Sequence, residues 1–287
     1  MNAFTDRLKS WPLYLLPHHF LSRIVFKLTR IESRLVPSAI SIFSKLFSVT
    51  LTEARHPQPA HYKTFNEFFT RELIDSARPI EGNAQQFCCP VDGRISQIGS
   101  INNGTVLQAK NHDYQLTDLL GGREHDCEPF KNGAFATLYL SPRDYHRIHM
   151  PVNGTLRSMH YIPGRLFSVA PHTVRTVPRL FARNERVVTL FDTPAGKVAM
   201  VLVGAINVAA IETVWAGLVT PPPGKTINHI DYPSDQPELE KGVEMGRFNM
   251  GSTVIVLFEH ARLRLDLTVG DPVRMGQFFG DFNQPPT

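Results

Sequence analysis

The chain has 287 residues, 42% hydrophobic and 20% charged, which is enough for one large domain with an appendage. Its three cysteines include no Cys-x-x-Cys pair, which argues against a disulfide framework or a zinc knuckle. The net charge of +4 is concentrated at the start, where residues 1–55 hold eight basic and three acidic residues, and this excludes a nucleic-acid surface spread over the fold.

The first predicted elements are two helices separated by a break at Pro37. Over residues 19–36, apolar residues recur at three- and four-residue steps and form one stripe, with a basic stripe beside it. Charges interrupt the segment too often for a transmembrane helix, whereas this pattern is typical of a helix lying on an anionic membrane. The alternative is a helix packed on the body with a solvated basic face. The candidate membrane-contact residues are Phe20, Arg23, Ile24, Lys27, Leu28, Arg30, Ile31 and Arg34.

The remainder of the chain is predicted to be mainly β. A linker ends in a short helix from about Thr64, and we place a boundary there, with a helical segment over 1–62 and a β-rich domain over 63–287. The fold class is therefore α+β, with N-terminal amphipathic helices and a mainly antiparallel sandwich-like or barrel-like body. The predicted strands, bounded by Gly, Pro, Asn and Asp, are 93–100, 134–141, 154–162, 186–193, 197–215, 252–260 and 262–270.

Three places carry residues suited to chemistry. Asp92 precedes a glycine at a strand entry, His146 and His149 lie three residues apart, and a Gly-Ser-Thr triplet begins at Gly251. Each has an ordinary structural interpretation as a turn or loop. A zinc site at His-x-x-His would need a third ligand, and no His-Glu-x-x-His motif is present. A Ser-His-Asp hydrolase would use the same residues, but the Gly-x-Ser-x-Gly elbow is absent.

The triplet also permits a reaction within the chain itself. The hydroxyl of Ser252 can attack the carbonyl before it, that of Gly251, in an N→O acyl shift favoured by proximity. Glycine before the serine leaves the attack uncrowded and permits a bent backbone. The resulting ester can break by β-elimination, and hydrolysis then leaves a pyruvoyl group at the new N-terminus.

A set of segments across the chain resembles one enzyme family. The segments are "FNEFFTREL", "PVDGRISQIG", "YLSPRDYHRIHMPVNG", "FARNERVV", "VGAINVAAIETVWAG" and "KGVEMGRFNMGSTVIVLF". Together they are similar to phosphatidylserine decarboxylases of the bacterial, pyruvoyl-dependent proenzyme type, over roughly Trp11 to Gly276. Met250 stands where that family usually has leucine before the Gly-Ser-Thr site.

The resemblance implies roles for the candidate residues. Asp92, His149 and Ser252 correspond to the family's self-cleavage triad, in which the histidine takes the hydroxyl proton and the aspartate orients and stabilises it. The cut between Gly251 and Ser252 yields a β chain, 1–251, and an α chain, 252–287, which pair as a heterodimer. The pyruvoyl group derived from Ser252 forms a Schiff base with phosphatidylserine and acts as the electron sink. His146 is the candidate proton donor to the product, with His149 the alternative.

The same resemblance sets the expected surroundings of the enzyme. We expect a peripheral protein on the cytoplasmic face of the cell membrane, with no metal, no nucleic acid, and reduced thiols because no signal peptide is visible. Further dimerisation of the heterodimer is left open. The competing classes are a serine or metal hydrolase, which would remain one intact chain, and a non-enzymatic membrane-binding β protein, in which Ser252→Ala would have no effect.

Overall fold

The computed structural model describes residues 3–109, 112–206, 210–221, 225–233, 237–264 and 266–282. Its helices are α1 Ala3–Ser10, α2 His18–Leu28, α3 Val36–Phe47, α4 Phe65–Phe69, α5 Leu116–Leu120, α6 Glu124–Cys127, α7 Pro171–Val174 and α8 Leu180–Arg183. Its strands are β1 Gln86–Cys88, β2 Gly93–Ser100, β3 Thr105–Ala109, β4 His112–Gln115, β5 Ala134–Tyr139, β6 Arg147–His149, β7 Gly154–Ile162, β8 Arg186–Thr193, β9 Gly196–Val203, β10 Ile211–Thr213, β11 Gly217–Thr220, β12 Asn228–Asp231, β13 Glu238–Leu239, β14 Glu244–Phe248, β15 Thr253–Phe258, β16 Ala261–Leu263, β17 Pro272–Val273 and β18 Phe278–Phe282.

The body is built around one large antiparallel sheet. Its strand order is β12-β7-β8-β9-β15-β5-β2-β17, with β13 paired to β7. Smaller sheets have the orders β11-β10-β14-β6 and β1-β18-β16, and β3 pairs with β4. Strand β15 is buried along its whole length and is paired on both sides, with β5 and β9. The predicted α+β class with an antiparallel body is confirmed, and within the described residues the large sheet does not close into a barrel.

The predicted strands differ in how well they match. Strands β2, β7 and β8 have the predicted bounds. The apolar run 197–215 was predicted as one strand, and this is wrong: β9 ends at Val203, and β10 begins at Ile211 in another sheet. Residues 207–209 of that run lie outside the described residues. The run 262–270 is a strand only as far as Leu263. An apolar run therefore indicated burial here, but not a continuous strand.

The single helix predicted over residues 19–36 is also wrong. Helix α2 ends at Leu28, and residues 29–35 form the turn that leads into α3. The Thr29 hydroxyl donates to the carbonyl of Val25 (2.8 Å), and the Thr29 carbonyl accepts from the Asn66 amide (2.8 Å). That carbonyl is thereby engaged outside the helix. Consequently Ile31 and Arg34 lie in the turn rather than on a helical face.

A second hydrophobic cluster joins the N-terminal helices to the body. Helix α4 begins where predicted, after Thr64, whose side chain forms a capping box with Glu67. The cluster is built mainly from α3, α4 and the segments beside them, and Met250 packs against it. It crosses the predicted boundary at residues 62 and 63, and the division into two domains stays a prediction. Its buried members are Val36, Ile40, Val49, Tyr62, Phe68 and Phe69.

Candidate active site

The three candidate places approach one end of the large sheet. Thr253 at the start of β15 is paired with Tyr139 at the end of β5, and Tyr139 is paired in turn with Arg94 in β2. Ser252 is the residue before Thr253 in the chain, and Asp92 lies two residues before Arg94. His149 is the last residue of β6, which pairs with β14 in the neighbouring small sheet, and His146 immediately precedes β6.

Ser252 is enclosed and has no hydrogen-bond partner for its hydroxyl. Its side chain is 0% exposed, and its carbonyl accepts from the Leu140 amide at 2.9 Å. Before it, the Asn249 amide donates to the carbonyl of Ala210 (2.9 Å), and the Asn249 side chain donates to Glu212 (2.9 Å). These contacts hold the loop between β14 and β15. A buried hydroxyl without a partner costs free energy, so this one calls for an explanation.

His146 is the histidine that faces Gly251. Its Nε2 lies 3.4 Å from the point where a Cβ on Gly251 would be, so a side chain there would stand against the imidazole. The Nδ1 atom donates to the carbonyl of Asp144 (2.7 Å), which leaves Nε2 unprotonated and without a partner. The pKa of His146 is lowered to about 3, mainly by burial and in part by the charge of Arg71, while the hydrogen bond to the Asp144 carbonyl opposes this shift. The imidazole is therefore neutral near pH 7.

His149, at the end of β6, bonds other groups. Its Nδ1 donates to the carbonyl of Gly242 (2.8 Å), and its Nε2 accepts from the hydroxyl of Tyr145 (3.0 Å). Burial lowers the pKa of His149, against the hydrogen bond to Gly242 and the charges of Glu244 and Asp92, which raise it. The odd spacing of His146 and His149 along extended chain explains why the two rings face different groups.

Asp92 is held by an arginine rather than by a histidine. Arg78 donates to both of its carboxylate oxygens, at 2.8 and 2.5 Å, and the Met275 amide donates at 2.9 Å. Arg78 also pairs with Glu53 at 2.9 Å. Burial would lower the pKa of Arg78, but its bonds to Asp92 and Glu53 raise it. This is a bidentate, buried ion pair, which is the strong form of the interaction.

The site therefore contains the expected residues without the direct contacts of a formed triad. His149 bonds neither Asp92 nor Ser252 in the described conformation, whereas His146 is next to Gly251. Tyr145 donates a hydrogen bond to His149, and Arg78 forms an ion pair with Asp92. Neither residue was identified from the sequence. Their signal in the sequence is weak: Tyr145 lies within one of the family-like segments and Arg78 lies between two of them, and nothing local indicates that either is buried.

Comparison with known proteins identifies the family to which the chain belongs. A model described as phosphatidylserine decarboxylase matches residues 65–281, and a second, described as PSD, matches residues 8–48. A phosphatidylserine decarboxylase proenzyme from Alteromonas mediterranea is 53% identical, covering 95% of this chain and 85% of its own. One from Pseudoalteromonas atlantica is 51% identical, covering 97% and 99%. The chain belongs to the phosphatidylserine decarboxylase family.

Membership of the phosphatidylserine decarboxylase family bears on the competing interpretations. It supports a processed, pyruvoyl-type lyase and gives no support to a serine or metal hydrolase. Among the described residues, no group of three or more His, Cys, Asp or Glu side chains could hold a metal ion.

The candidate membrane-contact residues lie on an apolar, largely exposed surface of this phosphatidylserine decarboxylase family member. Phe20 is 64% exposed and Leu28 is 60% exposed, and the basic residues Arg23, Lys27 and Arg34 are exposed as well. Arg30 differs, because it is partly covered and pairs with Glu212 at 3.5 Å. In the part of the chain that is described, no helix is long and apolar enough to span a membrane. We use the name apolar helix face for ten exposed apolar side chains of the N-terminal helices and the segments that connect them: Leu8, Trp11, Leu15, Phe20, Ile24, Leu28, Ile31, Leu35, Ile42 and Leu46.

Proposed function

We propose that this chain is a proenzyme that cuts itself between Gly251 and Ser252 and then decarboxylates phosphatidylserine to phosphatidylethanolamine and CO2. The observation that carries the proposal is a pair of buried, unpartnered atoms next to Gly251: Ser252 Oγ, which follows it in the chain, and His146 Nε2. Membership of the phosphatidylserine decarboxylase family supports both steps.

Self-cleavage begins with the serine. Ser252 Oγ attacks the carbonyl carbon of Gly251, the peptide C–N bond breaks, and an ester forms, with proximity supplying much of the rate. His149 accepts the hydroxyl proton and passes it to the freed nitrogen, while Asp92 stabilises the charged imidazole. A neutral His149, favoured by its lowered pKa, suits this role. The Tyr145 hydroxyl has to release His149 Nε2 first.

The ester is then removed in two further steps. Elimination breaks the ester C–O bond, takes the α-proton of residue 252 and leaves a carboxylate on Gly251. Hydrolysis of the resulting dehydroalanine consumes one water and releases ammonia, which leaves the pyruvoyl group. Ser252 Oγ and the neighbouring Thr253 Oγ1 are both buried without a hydrogen-bond partner, which fits a polar carbonyl group at this position.

A pyruvoyl group supplies an electron-accepting carbonyl for loss of CO2. In the decarboxylation, His146 transfers a proton between two atoms of the substrate. Its Nε2 is a free acceptor that takes a proton from the ammonium group of the substrate and returns it to the α-carbon once CO2 has left. Phe69, whose ring centre is 4.2 Å from that of His146, and the Asp144 carbonyl hold the imidazole in place.

The two chains remain together as a heterodimer in this proposal. Strand β15 would begin the α chain, and it is hydrogen-bonded to β5 and β9, which belong to the β chain. The enzyme acts as a peripheral protein on the cytoplasmic face of the membrane. The apolar helix face and its basic neighbours Arg23, Lys27 and Arg34 contact the bilayer in which the substrate lies.

Mass spectrometry and a CO2-release assay on purified protein test the proposal. We expect two chains, 1–251 and 252–287, with the second blocked at its N-terminus, and release of CO2 from phosphatidylserine. Ser252→Ala should remain one inactive chain. Ser44→Ala is the matched control, because its hydroxyl also lacks a partner but lies in α3, and it should cut normally. An uncut but active parent would contradict the proposal.

A further inference from the structure

A polar cavity of about 310 Å³ lies beside the candidate active site. Asp92, Asp144 and Tyr145 form part of its wall; the Tyr145 hydroxyl bonds His149, and the Asp144 carbonyl accepts from His146. Ser48 and Thr50, which follow the end of α3, form another part. The cavity therefore lies between the reacting residues and a helix that belongs to the apolar helix face.

Arginine dominates the charge of this cavity. Five arginines line it, against three carboxylates, which leaves an excess of two positive charges. Three of the five have a carboxylate partner: Arg78 and Arg274 bind Glu53 or Asp92, and Arg143 lies 3.8 Å from Asp144. Among the described residues, Arg71 and Arg94 form no ion pair. The five arginines are Arg71, Arg78, Arg94, Arg143 and Arg274.

Arg71 is the unusual member of the set. Arg71 is only 6% exposed. Among the described residues, its guanidinium donates one hydrogen bond, from Nη2 to the carbonyl of Arg143 (3.1 Å), and its Nε has no partner. A buried guanidinium without a directly bonded anion is costly, since the nearby charges of Asp92 and Asp144 offset the desolvation of its charge only in part. Burial lowers the pKa of Arg71. An anionic ligand in the cavity would offset this cost.

We propose that this cavity binds the phosphodiester group of the lipid substrate and that Arg71 contacts it directly. The assignment rests on the proposed function, which supplies an anionic lipid at this site. The substrate has two anionic groups, but the carboxylate loses its charge when CO2 leaves. An arginine bound to it would stabilise the ground state and slow the reaction, whereas the phosphodiester keeps its charge throughout.

Binding to the uncut Ser252→Ala protein tests the site without any catalysis. The probes are glycerophosphoethanolamine, which is a soluble phosphodiester, and inorganic phosphate, with the rise in unfolding temperature as the readout. We expect glycerophosphoethanolamine to bind more tightly, and Arg71→Met to weaken it by roughly tenfold to a hundredfold. Arg262→Met, an exposed arginine elsewhere, is the control. Tighter binding of inorganic phosphate would overturn the lipid assignment, and unchanged binding in Arg71→Met would overturn the site.

Kinetics of the processed enzyme distinguish the two anions of the substrate. Dihexanoyl phosphatidylserine has both, and O-hexylserine has the amine and carboxylate without phosphate. Arg71→Met should lower kcat/KM roughly tenfold or more for the first and leave the second unchanged. Equal losses would assign Arg71 to the carboxylate and contradict the proposal. Arg71→Lys keeps the charge and serves if Arg71→Met fails to fold, with a smaller loss expected.

The two proposals fail in different ways. If the parent neither cuts itself nor releases CO2, the proposed function is wrong, while binding to the Ser252→Ala protein still reports on the cavity. If the parent is active and Arg71→Met retains its binding and its preference for phosphatidylserine, only the phosphodiester site is wrong.

Discussion

The N-terminal helices and the end of the large sheet depart from ordinary burial in opposite directions. The helices and the segments that connect them leave large apolar side chains in contact with solvent, such as Leu15 and Leu35, each 74% exposed. The sheet end encloses polar groups without partners, among them Ser252 Oγ and His146 Nε2. Each arrangement costs free energy in an isolated protein. Each is therefore best explained by something that the region meets or does: a lipid surface for the first, a reaction for the second.

The largest effects are expected from substitution of His149 and His146, and the two substitutions should affect different steps. His149→Gln should block self-cleavage, because an unassisted serine hydroxyl is a weak nucleophile. His146→Gln should still cut and should lose roughly 10²–10⁴-fold in decarboxylation, the range of general acid–base catalysis. A gel for processing and a CO2-release assay report the two steps separately. Normal activity of cut His146→Gln protein would remove His146 from the reaction.

The buried ion pair of Asp92 should have the next largest effect. Arg78→Met leaves this carboxylate without its charged partner and should lower the free energy of unfolding by about 3–5 kcal/mol. Arg55→Met is the matched control, since Arg55 makes exposed pairs with Glu72 and Asp75 and should cost about 1 kcal/mol or less. Denaturant unfolding of uncut protein measures both. Similar losses in the two variants would show that burial of the pair is unimportant.

Protonation of His146 should make the fold sensitive to acid. Its pKa is lowered to about 3 in the folded state, so the unfolded chain binds this proton first as the pH falls below about 6.5. Stability is therefore lost between about pH 6.5 and pH 3, by up to about 1.4 kcal/mol per pH unit for this group. His146→Gln should flatten that slope in denaturant unfolding. An unchanged slope would mean that the imidazole is already charged in the fold.

The apolar helix face should give the smallest effects for each residue changed. Replacing Arg23, Lys27 and Arg34 with Gln should weaken binding to anionic liposomes by about 1 kcal/mol per charge, and less at high salt. Phe20→Asp with Leu28→Asp should weaken binding to neutral liposomes as well. Co-sedimentation measures both sets, and both should cut normally. If both sets of variants bound liposomes as the parent does, the apolar helix face would be an internal or protein-binding surface instead.

Arg30 is a separate case within this comparison. It pairs with Glu212, which also accepts from Asn249, two residues before Gly251. A change at Arg30 therefore reaches the cleavage loop as well as the membrane side, and we leave it out of the charge set for that reason. The sequence pattern, which put Arg30 in the basic stripe, contains no sign of this contact.

Local patterns in the sequence predicted what is local in the structure. Alternating or continuous apolar runs bounded by turn residues gave the bounds of β2, β7 and β8, and Thr64 marked the start of α4. Helix α2 was predicted too long because its end depends on Asn66. The amide of Asn66, which is far from Thr29 in sequence, donates a hydrogen bond to the Thr29 carbonyl. Periodicity along one segment contains no information about such a partner.

The candidate site was predictable as a set of residues but not as a geometry. The motifs identified Asp92, His146, His149 and Ser252. Which histidine faces Gly251 depends on the pairing of β6 with β14, two short strands far apart in sequence. Strand β14 contains two charged residues and a glycine, so no alternation indicates it. The buried partners of the site, such as Arg78, are likewise fixed by tertiary packing.

The central position of β15 has a consequence for the life of the protein after the proposed cut. As one chain, the protein inserts this strand between β5 and β9 by a unimolecular search. Once cut, the segment from 252 onward is a separate molecule, so recovery from denaturation would require two chains to meet and would depend on protein concentration. The uncut precursor can therefore fold without a second chain. The mature enzyme would hold its structure through slow unfolding, and would not readily regain it once lost.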